Sequence, residues 1–100
     1  MSITMIIRRR VIVGSEYGLH LRTAQRVAEA AQKFSSSLTI EGRQSRANAK
    51  SILELLILGA GQGASLELQA EGNDAELAIQ DVASVIEESL EFRRPTSAAT

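Results

Sequence analysis

The chain has 100 residues, with one histidine, no cysteine, no tryptophan and a formal charge of −1 at pH 7. That length makes a single domain burying roughly 60–70% of its unfolded surface, and the missing cysteines exclude a disulfide framework and thiolate chemistry. The balanced charge is unevenly spread: residues 1–50 carry nine basic and three acidic side chains, residues 51–100 two basic and nine acidic. With aromatics at 3% and no basic helix, these charges read as the solvated faces of a cytoplasmic domain, not as a nucleic-acid surface.

The apolar stretch Ile3 to Ile7 is short and precedes its arginines, so it predicts neither a signal peptide nor a membrane span. Met5 to Val13 reads as a strand. Ile7, Arg9, Val11 and Val13 share one face, which puts Arg9 on the core side, expected near an open end of the strand. Gly14 to Gly18 is a loop. Ala24, Val27, Ala28, Ala31 and Phe34 then recur at helical spacing, predicting a helix over residues 21–34 that Ser35-Ser36-Ser37 breaks.

Leu38 and Ile40 alternate with Thr39 and Glu41 in a second strand, and Gln44 to Asn48 is a weak third strand at an edge. Ser51 precedes the run Ile52-Leu53-Glu54-Leu55-Leu56-Ile57-Leu58, which the glycines at 59, 61 and 63 stop. This run is apolar around most of a helix's circumference, so part of it should face solvent as a docking surface or be wedged under a loop. Leu66, Leu68 and Ala70 alternate with Ser65, Glu67, Gln69 and Glu71 in a fourth strand. Asn73 to Glu76 has capping-box spacing. Behind it Ile79, Val82, Ala83, Ile86 and Leu90 predict a last helix, and residues 93–100 read as a tail. Strand, helix, strand, strand, short helix, strand, helix implies an α+β fold, with an antiparallel sheet covered by helices on one face.

His20 stands in Gly18-Leu19-His20-Leu21-Arg22-Thr23-Ala24, where a strand-and-loop segment gives way to a helix. As N-cap it would lie beside unpaired backbone N–H groups, which favour an anion or a phosphoryl group on the ring itself. A neutral imidazole is a nucleophile, and Arg22 can add a charge-assisted contact to phosphate oxygens. No second histidine or cysteine exists for a zinc site, and Gly59-Ala60-Gly61-Gln62-Gly63 lacks the Lys-Ser/Thr of a phosphate-binding loop. Neither a metal nor a cofactor is expected.

Three segments in order give the chain a family resemblance. Gly18 to Ala24 resembles the active-site run of the HPr family, histidine-containing phosphocarriers of the phosphoenolpyruvate-dependent sugar phosphotransferase system. Asn48-Ala49-Lys50-Ser51-Ile52, continuing to Leu58-Gly59, resembles the family's regulatory-serine segment, and Gln62 to Gly72 its fourth strand and exit. The resemblance implies an open-faced β-sandwich, βαββαβα, with four antiparallel strands and three helices on one face, over residues 1–92. It implies a carrier, not an enzyme. His20 would take a phosphoryl group from phosphorylated enzyme I and pass it to IIA domains, with Arg22 steadying the phosphate. Leu21, Gln25, Ile52, Leu53 and Leu56 would form the docking face of a monomer.

Ser51 is an N-cap candidate. In some family members the matching serine is phosphorylated by a dedicated kinase, so an HPr kinase/phosphorylase and a transcription regulator are candidate partners. The alternative is a non-catalytic regulatory paralogue switched at Ser51. Two features depart from the family pattern or bear on partner choice. Thr23 replaces the usual proline, restoring an N–H and adding a hydroxyl expected beside the phosphate. Glu29 and Glu54 place negative charge near the docking face.

Overall fold

The computed structural model describes residues 5–88; Leu90 and the tail read over residues 93–100 lie outside the described residues. The elements are β1 (Ile6–Ile12), α1 (Leu21–Gln32), β2 (Ser37–Glu41), β3 (Arg46–Asn48), α2 (Ile52–Leu58), β4 (Ser65–Glu71) and α3 (Ala75–Glu87). The strands form one antiparallel sheet in the order β1-β4-β2-β3, with the helices on one face. This is the expected open-faced sandwich. β3 takes the predicted edge position, and β1 takes the other edge.

Period-two alternation decides which face of the sheet is dry. Val11 lies opposite Leu66 and Ile40 opposite Leu68, so Val11, Leu38, Ile40, Leu66, Leu68 and Ala70 converge on the helix side. Ala24, Val27, Ala28 and Ala31 of α1 and Ile79, Val82, Ala83 and Ile86 of α3 close the core from above. Small residues dominate that contact, which lets the helices sit close to the sheet. The outer face is polar and cross-linked, with Arg8 Nε donating to Gln69 Oε1 at 3.0 Å and Arg10 Nη1 to Ser65 Oγ at 2.9 Å.

Three local expectations are corrected. Arg9 lies in the middle of β1, paired in register with Leu68, not near a strand end. Its strand is the sheet edge, so the side chain escapes the core and reaches Glu87 at the end of α3, 3.6 Å away. Helix α1 stops at Gln32, because the N–H groups of Lys33 and Phe34 tighten onto Ala30 and Ala31 in a final three-residue turn.

The capping box at α3 does not form: the N-cap is Asp74, with no side-chain cap bond. Its carboxylate instead accepts from the N–H and hydroxyl groups of Ser35 and Ser36, tying the start of α3 to the α1–β2 turn. The Ser36 hydroxyl is the leading cause that lowers the Asp74 carboxyl from 3.8 to about 2, with the Ser35 N–H next. A carboxyl depressed on folding stabilises the native state above its unfolded value and loses that contribution as pH falls toward about 2. Acid titration monitored by circular dichroism is therefore expected to show a shallower stability loss in this window for Asp74→Asn than for the unsubstituted protein. Identical slopes would contradict the assignment.

Candidate phosphoryl-acceptor site

The site begins with how the β1–α1 loop is held. Val13 N–H donates to Ala64 O at 3.0 Å and Gly63 N–H to Val13 O at 2.8 Å, stitching the loop's start to the segment before β4. Leu19 N–H donates to Ala60 O at 2.9 Å, while the Leu19 side chain is buried. Gly18 has φ +72°, and a Cβ there would lie 2.4 Å from Ala60 O. The position therefore demands glycine twice over, for its left-handed backbone and for the close approach. The glycine-rich segment after α2 thus anchors the histidine loop as well as turning the chain into β4.

This anchoring sets His20 at the N-cap of α1, with extended backbone dihedrals and a half-buried ring. Arg22 N–H donates to His20 Nδ1 at 3.2 Å. A backbone N–H can only donate, so Nδ1 carries a lone pair in this geometry. In the neutral ring the proton is then on Nε2, which lies 2.9 Å from Thr23 Oγ1. Thr23 Oγ1 in turn donates to Ser15 Oγ at 3.3 Å, and both residues are buried. The Thr23 hydroxyl, expected beside a phosphate, lies against Nε2, the ring nitrogen opposite the one that accepts the Arg22 N–H. Among the described residues the N–H groups of Leu21 and Thr23 find no acceptor, leaving donors at the helix end.

His20, Arg22, Leu21, Gln25 and Tyr17 line one shallow depression. Arg22 is exposed, and the edge of Tyr17 meets the His20 ring at a centroid distance of 5.9 Å. Tyr17 had no sequence signal beyond being an aromatic three residues before the histidine. Ser51 caps α2, its Oγ accepting from Glu54 N–H at 3.2 Å. The Glu54 carboxylate is engaged by Asn48 N–H at 2.8 Å. Within α2 only Leu55 is buried; Ile52 and Leu56 are half-buried against the core, and Leu53 and Ile57 are 68% and 74% exposed. The short helix therefore presents Leu53 and Ile57 outward, and Ile57 was not among the expected docking residues.

The described residues thus place a capped imidazole, its Nδ1 accepting a backbone N–H, on an open-faced α+β sandwich. Residues 7–88 match the family model described as PTS HPr component phosphorylation site, and the chain belongs to this HPr family of phosphotransferase-system phosphocarriers. It is 39% identical over 71 residues to phosphocarrier protein HPr of Mycoplasma capricolum, covering 71% of this chain and 80% of that one. It is 32% identical over 81 residues to phosphocarrier protein NPr of Shewanella violacea, covering 81% and 89%. The crystal structure of HPr-C-His from Thermoanaerobacter tengcongensis superposes with a TM-score of 0.81 at 34% identity, covering 88% of this chain and 99% of that one. Among the described residues no helix is long and apolar enough to cross a membrane.

Proposed function

We propose that this chain accepts a phosphoryl group on Nδ1 of His20 from phosphorylated enzyme I and delivers it to IIA components. The observation that carries the reading is the Arg22 N–H to Nδ1 hydrogen bond, because it aims a lone pair at the N-terminus of α1. In the transfer, that lone pair forms the new N–P bond. The bond from phosphorus to the donor's leaving atom breaks, and the leaving atom keeps the electron pair. Nε2 retains its proton, so the ring's positive charge is offset by the phosphoryl oxygens. Those oxygens take over the Arg22 N–H that Nδ1 gives up, and the N–H groups of Leu21 and Thr23 lie in the same first turn. The Arg22 guanidinium, on the rim of the depression, adds a charge-assisted contact. Delivery reverses these steps with the acceptor as nucleophile.

In this reading the carrier acts in the cytoplasm as a monomer, with Tyr17, His20, Leu21, Arg22 and Gln25 together lining the depression that receives the partner. Incubation with enzyme I, phosphoenolpyruvate and magnesium is expected to yield one acid-labile, base-stable phosphate per chain. Absence of that label would overturn the reading.

Ser51 supports a second, regulatory use of the same face. Its hydroxyl is half-exposed at the N-cap of α2, beside the outward Leu53. A phosphate there adds roughly −1.5 to −2 charges to an apolar docking surface. Ser51→Asp keeps a good N-cap while supplying negative charge. We expect unchanged thermal stability but slower phosphoryl transfer from enzyme I, with Ser51→Asn, a neutral cap, transferring normally. Equal transfer rates for the two variants would rule out charge at this position as the switch.

A further inference from the structure

Among the described residues, the Thr23 hydroxyl is the one polar group hydrogen-bonded to the His20 ring that the transfer itself does not use. The residue is buried at the third position of α1, where a side chain has little room to choose another partner. Three distances define a directed chain: Arg22 N to His20 Nδ1 at 3.2 Å, His20 Nε2 to Thr23 Oγ1 at 2.9 Å, and Thr23 Oγ1 to Ser15 Oγ at 3.3 Å. The backbone N–H at one end forces Nδ1 to accept. At the other end Ser15 takes the Thr23 hydrogen, so Thr23 Oγ1 is left to accept from Nε2–H. The backbone N–H selects the tautomer, and the Thr23–Ser15 contact gives the Thr23 hydrogen an acceptor that is compatible with it.

We propose that Thr23, oriented by Ser15, is a positioning residue that holds His20 in the Nε2–H tautomer and keeps Nδ1 free as the nucleophile. Its side chain acts through His20 and touches no reacting atom. When the phosphoryl group arrives, Nδ1 exchanges its bond to Arg22 N–H for the bond to phosphorus, and the tie to Arg22 no longer orients the ring. The Nε2–H···Oγ1 bond is the contact that persists through the step. It also holds the proton of the now positively charged ring. A proline at position 23 has no hydroxyl and cannot play this part.

The rate consequence rests on the carrier reading; the structural readout does not, because it is taken on the unphosphorylated protein. The probe is the tautomer ratio of the neutral His20 ring, read from two-bond nitrogen–proton correlations on uniformly labelled protein. The unsubstituted protein is expected to be predominantly the Nε2–H form. Thr23→Val, of the same shape without the hydroxyl, should move the ratio toward the Nδ1–H form by about three- to tenfold, the usual weight of one hydrogen bond. Thr23→Ser should leave it unchanged. Phosphorylation by enzyme I should slow by about three- to tenfold in Thr23→Val and recover to within about twofold in Thr23→Ser.

Ser15→Ala provides an independent arm. Without its acceptor the Thr23 hydrogen is free to point at Nε2, and the ratio should move in the same direction. A tautomer ratio unchanged in folded Thr23→Val overturns the proposal. Should Thr23→Val not fold, an unchanged ratio in Ser15→Ala does so. A shifted ratio in a protein that enzyme I never phosphorylates would uphold the positioning role and overturn the carrier reading alone.

Discussion

His20→Asn is expected to lose all acid-labile phosphate while remaining as stable as the unsubstituted protein. The two halves of that expectation have separate causes. The chain holds one histidine, so no other imidazole can inherit the phosphoryl group. His20 is also the N-cap of α1, where Nδ1 accepts the Arg22 N–H. Removing a cap costs about 1 kcal/mol, which His20→Ala would show, whereas asparagine is among the best capping residues and replaces the lost acceptor. Comparing labelling and thermal unfolding across the two variants separates chemistry from folding. Label persisting in His20→Asn would place the acceptor elsewhere. A large stability loss in that variant would mean that the ring's contacts with Tyr17 and Thr23, not the cap, hold the loop.

Leu53→Glu is expected to slow phosphoryl transfer from enzyme I roughly thirtyfold at low donor concentration, equivalent to about 2 kcal/mol of docking energy at a buried interface anchor. Leu53 is 68% exposed and occupies the second position of α2, where an acidic side chain suits the helix dipole. The substitution should therefore leave thermal stability within about 0.5 kcal/mol, the range of ordinary surface changes. Ile57→Glu should act in the same direction, because Ile57 is exposed from the same short helix. Leu77→Glu is the control: it is as open as Leu21, at 62% against 61%, but lies on α3 beside Phe34, outside the depression that holds His20. Equal slowing by Leu77→Glu would reduce the effect to bulk charge. Unchanged transfer in Leu53→Glu would move the docking surface off α2.

Much of this site was legible because its signals are local. His20 before an amphipathic run reads as a cap, and the structure shows its ring accepting the second N–H of α1. Ser51 three residues ahead of Glu54 reads as a cap by the same logic, and it forms. Asn73 and Glu76 carried a similar local signal, and it failed. The carboxylate of Asp74 bonds to serines 38 and 39 positions away, which no local spacing encodes. The burial of α2 was legible only in outline. Seven residues with one polar side chain must leave apolar surface exposed, but whether Leu56 or Ile57 faces solvent depends on how the helix is rolled against β3 and α1.

Sequence by itself determined the element order, the dry faces of the strands and of the two long helices, the position of the histidine at a helix start and the family to which the chain belongs. The elements and their faces rest on periodicities within short windows, where neighbouring side chains are constrained by 3.6- and 2-residue repeats, whereas the family rests on the likeness of three motif segments in order. Tertiary structure decided how the loop is anchored and what engages the far side of the histidine ring. The loop is placed by Leu19 N–H on Ala60 O, a contact spanning 41 positions, and the far nitrogen of the ring is placed by a hydroxyl relay to Ser15. Hydrogen-bond direction is a property of the assembled partners: the same threonine could face solvent, a phosphate or a ring. Burial against Ser15 settles it, and that burial exists only once the sheet and helices have closed around it.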